Sequence, residues 1–359
     1  MRILVVNAGS STLKLRLLGS RDESLAAEEL PAGADVAPAL ARMPGVDAVG
    51  HRIVHGGDRF SGPVKVDAGV EESLRELTEL APLHQPKALA ALDAVSAALP
   101  GVPAVACFDT AFHSTLGAGA ATYALPKAWR ERWGLRRYGF HGLSHAYASR
   151  RAAELTGARR IVTCHLGAGA SLAAVLDGSS VDTTMGFTPL EGLVMATRSG
   201  NVDPGLVLWL EERHGVSPLE MSEALEHNSG LAGLTGTPDM REVLSRAEAG
   251  DDDAQLGLAV YLHRLRAGIG AMAAAIGGLE ALVFTGGVGE RAPAIRAQAA
   301  AGLAFLGVHV DAEANEAASG DAEITGDGAQ ARTLVVAARE DLEIARQVRS
   351  LIDRPGSGG

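Results

Sequence analysis

The sequence predicts a duplicated α/β protein with a cleft between its halves, and three observations carry that expectation. The chain opens on a buried-strand run, Ile3-Leu4-Val5-Val6, breaks at Asn7-Ala8-Gly9-Ser10-Ser11, and then alternates apolar and polar residues from Leu13 to Leu17. The same strand, tight turn and strand recur half a chain later. There Ile161 to Cys164 leads into His165-Leu166-Gly167-Ala168-Gly169-Ala170, a second strand runs from Ser171 to Leu176, and the hairpin signal Asp177-Gly178 precedes a third from Ser179 to Thr183. Elsewhere helical and strand periods alternate, the pattern of layered α/β folds. A length of 359 residues, more than twice that of a typical domain, leaves room for two cores.

In chain order, residues 71–80 and 86–99 have helical spacing, and residues 103–108 read as a buried strand ending at Asp109. Asp203-Pro204 and Ser217-Pro218-Leu219-Glu220 each place a cap before a proline at the first helical position, the second with a capping-box glutamate. A long Ala-rich helix over residues 252–276 leads into a strand over 281–285 and the turn Gly286-Gly287-Val288-Gly289. A strand over 333–337 and a helix from about residue 340 close the fold.

Composition excludes several classes. With 47% hydrophobic and 21% charged residues the chain is no disordered segment. A net charge of −11 gives no basic field for nucleic acid or an acidic membrane surface. The two cysteines, Cys107 and Cys164, form no Cys-x-x-Cys pair, which argues against disulfide and zinc-thiolate scaffolds and fits a reducing compartment. The start, MRILVV, is too short for a signal peptide, and no apolar run reaches the roughly 18 to 20 residues of a membrane span, so a cytoplasmic location is expected.

Three glycine-rich turns follow strands, and glycine lets backbone N–H groups close on phosphate oxygens. Each alone reads sooner as a plain tight turn than as a phosphate loop; three in a duplicated domain point to nucleotide phosphates. None has the form of a P-loop or of a GxGxxG motif opening a helix. Arg52 sits near a strand end in Gly50-His51-Arg52-Ile53-Val54-His55-Gly56-Gly57, Asp109 lies just past a buried strand, His141 stands in Tyr138-Gly139-Phe140-His141-Gly142, and Arg198 in Thr197-Arg198-Ser199-Gly200. Surface charge and structural histidine are the bland readings of these residues. Together they match phosphoryl transfer to a small acid, which needs cations on both the carboxylate and the moving group. Glu340 reads either as an acid at a helix N-terminus or as a magnesium ligand.

The runs VVNAGSSTLKLRL, VGHRIVHGG, LAPLHQPKAL, FDTAFH, YALP, RRYGFHGLSH, TCHLGAGAS, DTTMGFTPLEGL, TRSGNVDP, FTGGVGE and AREDLEIA occur in an order, from residue 3 to about 350, that resembles the acetokinase family of the actin/hexokinase-like superfamily. The resemblance implies duplicated actin/hexokinase-like (ribonuclease H-like) domains. The first is expected over residues 1–145 plus a C-terminal helix at 342–359, and the second, nucleotide-binding, over 146–341. It also implies ATP and acetate as substrates, acetyl phosphate and ADP as products, Mg2+ with Mn2+ as the alternative metal, and a homodimer.

Carried over by motif, Asp109, His141 and Arg198 look catalytic, and Arg52, Val54, Leu83, Phe140 and Pro189 look like the acetate site. Lys14, His165, Leu166, Gly167, Ala168, Gly169, Asp239, Met240, Arg241, Gly287, Val288, Gly289, Glu290 and Arg291 fall where the family binds nucleotide, and Asn7 and Glu340 where it holds metal. Three departures lie on the nucleotide and metal side: Ala168 replaces the usual asparagine, Arg291 replaces another, and Ala338-Arg339-Glu340-Asp341 stands for Thr-Asn-Glu-Glu. The chain is also shorter than usual between Leu18 and Val46. Two alternatives remain: the same fold acting on propionate or butyrate, or with pyrophosphate as donor, and, from another class, an actin-like or chaperone-like assembly protein without small-molecule transfer.

Overall fold

The two repeated hairpins seed two sheets. The computed structural model describes residues 1–9, 12–82 and 85–353, and the chain divides into two units. One comprises Met1–Ser114, Phe140–Tyr147 and Arg339–Gly359; the other comprises Thr115–Gly139 and Ala148–Ala338.

In the first unit β1 (Ile3–Ala8), β2 (Thr12–Leu18), β3 (Ser24–Pro31), β4 (Ala48–Ile53), β5 (Val64–Lys65) and β6 (Ala104–Phe108) form a sheet in the order β3-β2-β1-β4-β6-β5. β1 runs antiparallel to β2 and parallel to β4, β4 parallel to β6, and β5 antiparallel to β6. The second unit repeats this strand for strand. Its strands β7 (Arg160–Leu166), β8 (Ala170–Leu176), β9 (Ser179–Thr183), β10 (Ala281–Thr285), β11 (Ala322–Glu323) and β12 (Arg332–Val335) pair in the order β9-β8-β7-β10-β12-β11, with the same sequence of antiparallel and parallel neighbours. This shared topology makes the fold a duplicated α/β fold.

β1 is apolar from Ile3 to Val6 because both of its faces are covered there. Leu4 and Val6 pack with Ala91 and Val95 of the helix Gln85–Ala98. Ile3 and Val5 pack with Ile344, Ala345 and Val348 of the helix Glu340–Ile352. The polar ends of β1 and β4 are therefore the places where this unit offers side chains for chemistry.

Several elements differ from the sequence expectation, three of them instructively. The helix expected over residues 71–80 is an α-helix, Ala68–Glu76, capped by the Asp67 carboxylate accepting from Val70 N–H, followed by one 3-10 turn, Leu77–Leu80. The turn expected at Gly286 to Gly289 is the opening of a short helix, Gly286–Arg291. β3 was not expected: its alternation is masked by Glu28 and Glu29 on a half-exposed edge strand. Among the described residues no helix is long and apolar enough to cross a membrane.

Candidate active site

The first unit gathers four predicted residues into one hydrogen-bonded network. Arg52, near the end of β4, directs Nε at Asp109 Oδ1 and Oδ2 (3.2 and 3.1 Å) and Nη2 at Asp109 Oδ2 (2.5 Å). Its Nη1 donates to Asn7 Oδ1 at 3.1 Å, and Asn7 Nδ2 donates to Glu340 Oε2 at 3.0 Å. Glu340 Oε2 lies 4.0 Å from Arg52 Nε. β1, β4 and β6 are adjacent strands, so Asn7, Arg52 and Asp109 emerge side by side, and Glu340 opens the helix that lies on the same sheet. Burial opposes the Arg52 charge, but the Asp109 and Glu340 carboxylates outweigh it and hold the guanidinium above its usual pKa. Three of its five N–H groups are engaged, which leaves one on each terminal nitrogen for a ligand.

Asn7 and Glu340, joined by a hydrogen bond, present hard oxygen donors of the kind Mg2+ takes alongside phosphate oxygens and its own waters. The donor set fits that ion. Among the described residues no cluster of three or more His, Cys, Asp and Glu side chains is placed to bind a softer metal. Lys14 on β2 is the register partner of Asn7 on β1, so the two share a sheet face.

His141 adopts a left-handed backbone (φ 55°), uncommon for a residue with a side chain. The cause is the next residue: Gly142 N–H donates to the Asp109 carbonyl at 2.8 Å, and a Cβ on Gly142 would run into that carbonyl and the Phe112 side chain. The loop carrying His141 is thus pressed onto the strand end carrying Asp109. Phe140 is buried, with its ring edge-on to His55 at 5.6 Å between centroids, and its carbonyl accepts from His113 Nε2–H at 3.0 Å. Val54, the first residue past β4, is also buried. Burial pushes His51, His55 and His113 down to about 4, so they are neutral at physiological pH. Leu83, expected in the acetate pocket, lies outside the described residues.

In the second unit, Gly167, Ala168, Asp239, Met240, Arg241, Gly287, Val288 and Arg291 line one cavity of about 490 Å³. Three distant stretches of sequence meet there, two of them because Gly286 (φ 79°) lets the end of β10 close on the end of β7: a Cβ on Gly286 would sit 2.8 Å from the Leu166 carbonyl oxygen. His165, Leu166, Gly169, Gly289 and Glu290 are not among the residues that line the cavity. Gly169 O accepts from Gly167 N–H at 2.9 Å, and Glu290 Oε1 accepts from Ala338 N–H at 3.0 Å. At the rim Asp239 caps its helix and takes both the N–H and the guanidinium of Arg241, which hold its carboxyl down to about 2.

Arg198 is held more loosely. Its Nη1 donates to the Pro189 carbonyl at 3.3 Å and touches the Met195 sulfur at 3.9 Å, and burial, opposed only by Glu226, lowers its pKa. The loop that carries Pro189 is braced by a cluster that sequence reasoning missed. Glu191 accepts from Arg137 Nη2 at 2.5 Å and from the Tyr123 hydroxyl, and Arg137 Nη1 reaches the Thr184 and Met185 carbonyls at 3.1 and 3.0 Å. A glutamate inside Pro-Leu-Glu-Gly, between two turns, was the available signal. Arg296 was missed as well. Although only 1% exposed, it donates to the Gly289 and Glu290 carbonyls (3.0 and 2.8 Å) and to Asn315, clamping the glycine-rich helix from behind.

Comparison with known proteins follows the same lines. The model of the acetokinase family matches residues 38–346. The acetate kinase of Leifsonia xyli is 46% identical over 387 residues, covering 96% of this chain and 97% of that protein. Among solved structures, acetate kinase from Porphyromonas gingivalis superposes with a TM-score of 0.90 at 35% identity, covering 98% of this chain and 99% of that one. A propionate kinase from Francisella tularensis gives the same TM-score, 0.90, and the same identity, 35%, over 98% and 100% of the two chains.

Proposed function

The chain belongs to the acetokinase family, phosphotransferases with ATP as co-substrate and a carboxyl group as acceptor, and from that premise we propose how it transfers the phosphoryl group of ATP to acetate. The observation that carries the reading is the network of Asn7, Arg52, Asp109 and Glu340. Acetate is already ionised at neutral pH, so its oxygen attacks the γ-phosphorus without a general base. A new oxygen–phosphorus bond forms, the bond to the β–γ bridging oxygen breaks, and ADP leaves with the charge.

On this reading Asp109 takes no proton. It fixes the plane of Arg52, whose two remaining N–H groups receive the acceptor carboxylate. Val54, Phe140 and Pro189 wall the methyl group. Arg198, which has no carboxylate hydrogen-bonded to it among the described residues, and His141 take the charge on the equatorial oxygens of a loose transition state. Asn7 and Glu340 would hold Mg2+, with Mn2+ as substitute; when bound, such an ion neutralises phosphate charge. Lys14 meets the phosphates, and the stretches 165–169, 239–241 and 287–291 receive the nucleotide.

Propionate is the second acceptor to test, because the Francisella tularensis propionate kinase is as similar to this chain as the Porphyromonas gingivalis acetate kinase is. One methylene is worth only about 1–3 kcal/mol of discrimination. Trapping the acyl phosphate with hydroxylamine, across acids of rising chain length and with ATP or pyrophosphate as donor, decides between them. Product with ATP and acetate is expected; no product with any acid would overturn the reading.

A homodimer and a cytoplasmic location complete the proposal. The helix Pro204–His214 buries none of its residues and exposes Leu206, Leu208 and Trp209, an apolar patch of the kind that marks an interface. The two cysteines are buried and free, as suits a reducing compartment. Trp209→Glu is expected to shift the mass by light scattering from dimer to monomer; a wild-type protein that is already monomeric would contradict this.

A further inference from the structure

The loop that follows β9 takes its shape from side chains. Residues 184–203 belong to no helix or strand, yet four consecutive residues of that loop meet one polar cluster. Arg137 Nη1 donates to the Thr184 and Met185 carbonyls, and Phe187 N–H donates to the Tyr123 hydroxyl at 2.9 Å. Between them Gly186 faces the cluster so closely that a Cβ there would sit 1.8 Å from Glu191 Oε2 and 2.1 Å from the Tyr123 hydroxyl. That hydroxyl donates to Glu191. Burial first, and the bond to Glu191 second, raise the phenol above its usual pKa, so it keeps the proton it donates. The Arg137 guanidinium lies 5.5 Å over the Tyr123 ring, and Arg137 N–H donates to the Ala121 carbonyl at 2.8 Å. Asp182, on β9, also feels the Arg137 and Glu191 charges. Two residues beyond Phe187 stands Pro189, whose carbonyl accepts from Arg198. All of these residues belong to the second unit.

A partly buried ion pair adds little to stability, because apolar groups of the same size often do as well without desolvating two charges. What Arg137, Glu191 and Tyr123 supply is one fixed course for an irregular loop: both carboxylate oxygens are engaged, and the hydroxyl gives one hydrogen bond and takes another. We propose that Tyr123 is a specificity-determining positioning residue, which through Glu191 and Phe187 sets how far Pro189 stands into the acceptor site and so favours acetate over longer acids. This rests on the reading of Pro189 as a wall of the methyl pocket.

Tyr123→Phe in the full chain removes one oxygen and leaves the Phe187 end of the loop free to shift. Expected is a rise of about two- to tenfold in the propionate-to-acetate ratio of kcat/KM, the size of one lost hydrogen bond, carried by a higher KM for acetate with KM for ATP unchanged. An unchanged or lower ratio would overturn the proposal, and a fall in thermal midpoint with the ratio intact would make the residue structural. Pro189→Ala separates this inference from the reading beneath it. If Pro189→Ala leaves the ratio at the wild-type value, Pro189 is no wall and the reading fails. If Pro189→Ala raises the ratio while Tyr123→Phe is silent, only the role of Tyr123 fails.

Discussion

Arg52 and Arg198 solve the problem of a partly buried cation in opposite ways. Arg52 is gripped by the Asp109 carboxylate and tied through Asn7 to Glu340, so its pKa is raised and its plane is fixed before any ligand arrives. Arg198 has a carbonyl and a thioether for company, and burial lowers its pKa. The first unit therefore holds a cation already compensated, and the second holds one whose desolvation Glu226 offsets only in part, leaving it under-compensated until an anion arrives. A residue of the first kind contributes to the fold and to binding together; one of the second kind contributes to function alone.

That contrast can be broken experimentally. Arg52→Ala leaves the Asp109 carboxylate buried without its partner, at a cost of about 3–5 kcal/mol, and is expected to lower turnover by about 10²-fold or more. Chemical unfolding and steady-state kinetics check the two halves. The paired change Arg52→Met with Asp109→Leu should recover most of the stability and none of the turnover; recovery of both would remove Arg52 from the chemistry. Arg296→Met sharpens the comparison from the other side. It leaves the Gly289 and Glu290 carbonyls unsatisfied, so it is expected to cost about 3 kcal/mol of stability and to raise KM for ATP more than KM for acetate.

A smaller effect follows from the buried histidines of the first unit. His51 and His113 sit near 4 in the folded chain and have an ordinary value of 6.5. Between those values the unfolded chain binds more protons, so their contribution is complete above pH 6.5 and is lost as the pH falls toward 4. Thermal unfolding from pH 7.5 down to pH 4.5 should show the midpoint dropping, and His51→Leu, which removes a ring without hydrogen-bond partners among the described residues, should flatten that slope. The least effect is expected at Ala168, which lines the nucleotide cavity. Ala168→Asn restores an amide and should leave KM for ATP unchanged or lower it; a clear rise would mean that the loop has been rebuilt around alanine.

Much of the fold was legible because its strands are buried on both faces and its turns carry glycine. Ile3 to Val6 and Ala281 to Thr285 could hardly be anything else, and the hairpin repeated at Asn7 and His165 announced the duplication. β3 was not legible, since an edge strand with charged residues has no continuous apolar run to betray it. Sequence motifs marked Asn7, Arg52, Asp109 and Glu340 singly. Their hydrogen bonding to one another depends on β1, β4 and β6 lying side by side, which no local pattern encodes. Arg296 and Glu191 escaped for the same reason. An arginine in an Ala-rich helix and a glutamate in a loop look ordinary until the partners they meet are known.

The claim that the second unit's lightly held arginine exists for the transferring group is tested most directly by the turnover of Arg198→Ala with ATP and acetate, measured beside its unfolding midpoint. A fall in kcat of about 10²-fold or more is expected, at a midpoint close to that of the wild type. A variant that turns over at nearly the wild-type rate, or one that loses activity only because it unfolds, would contradict it.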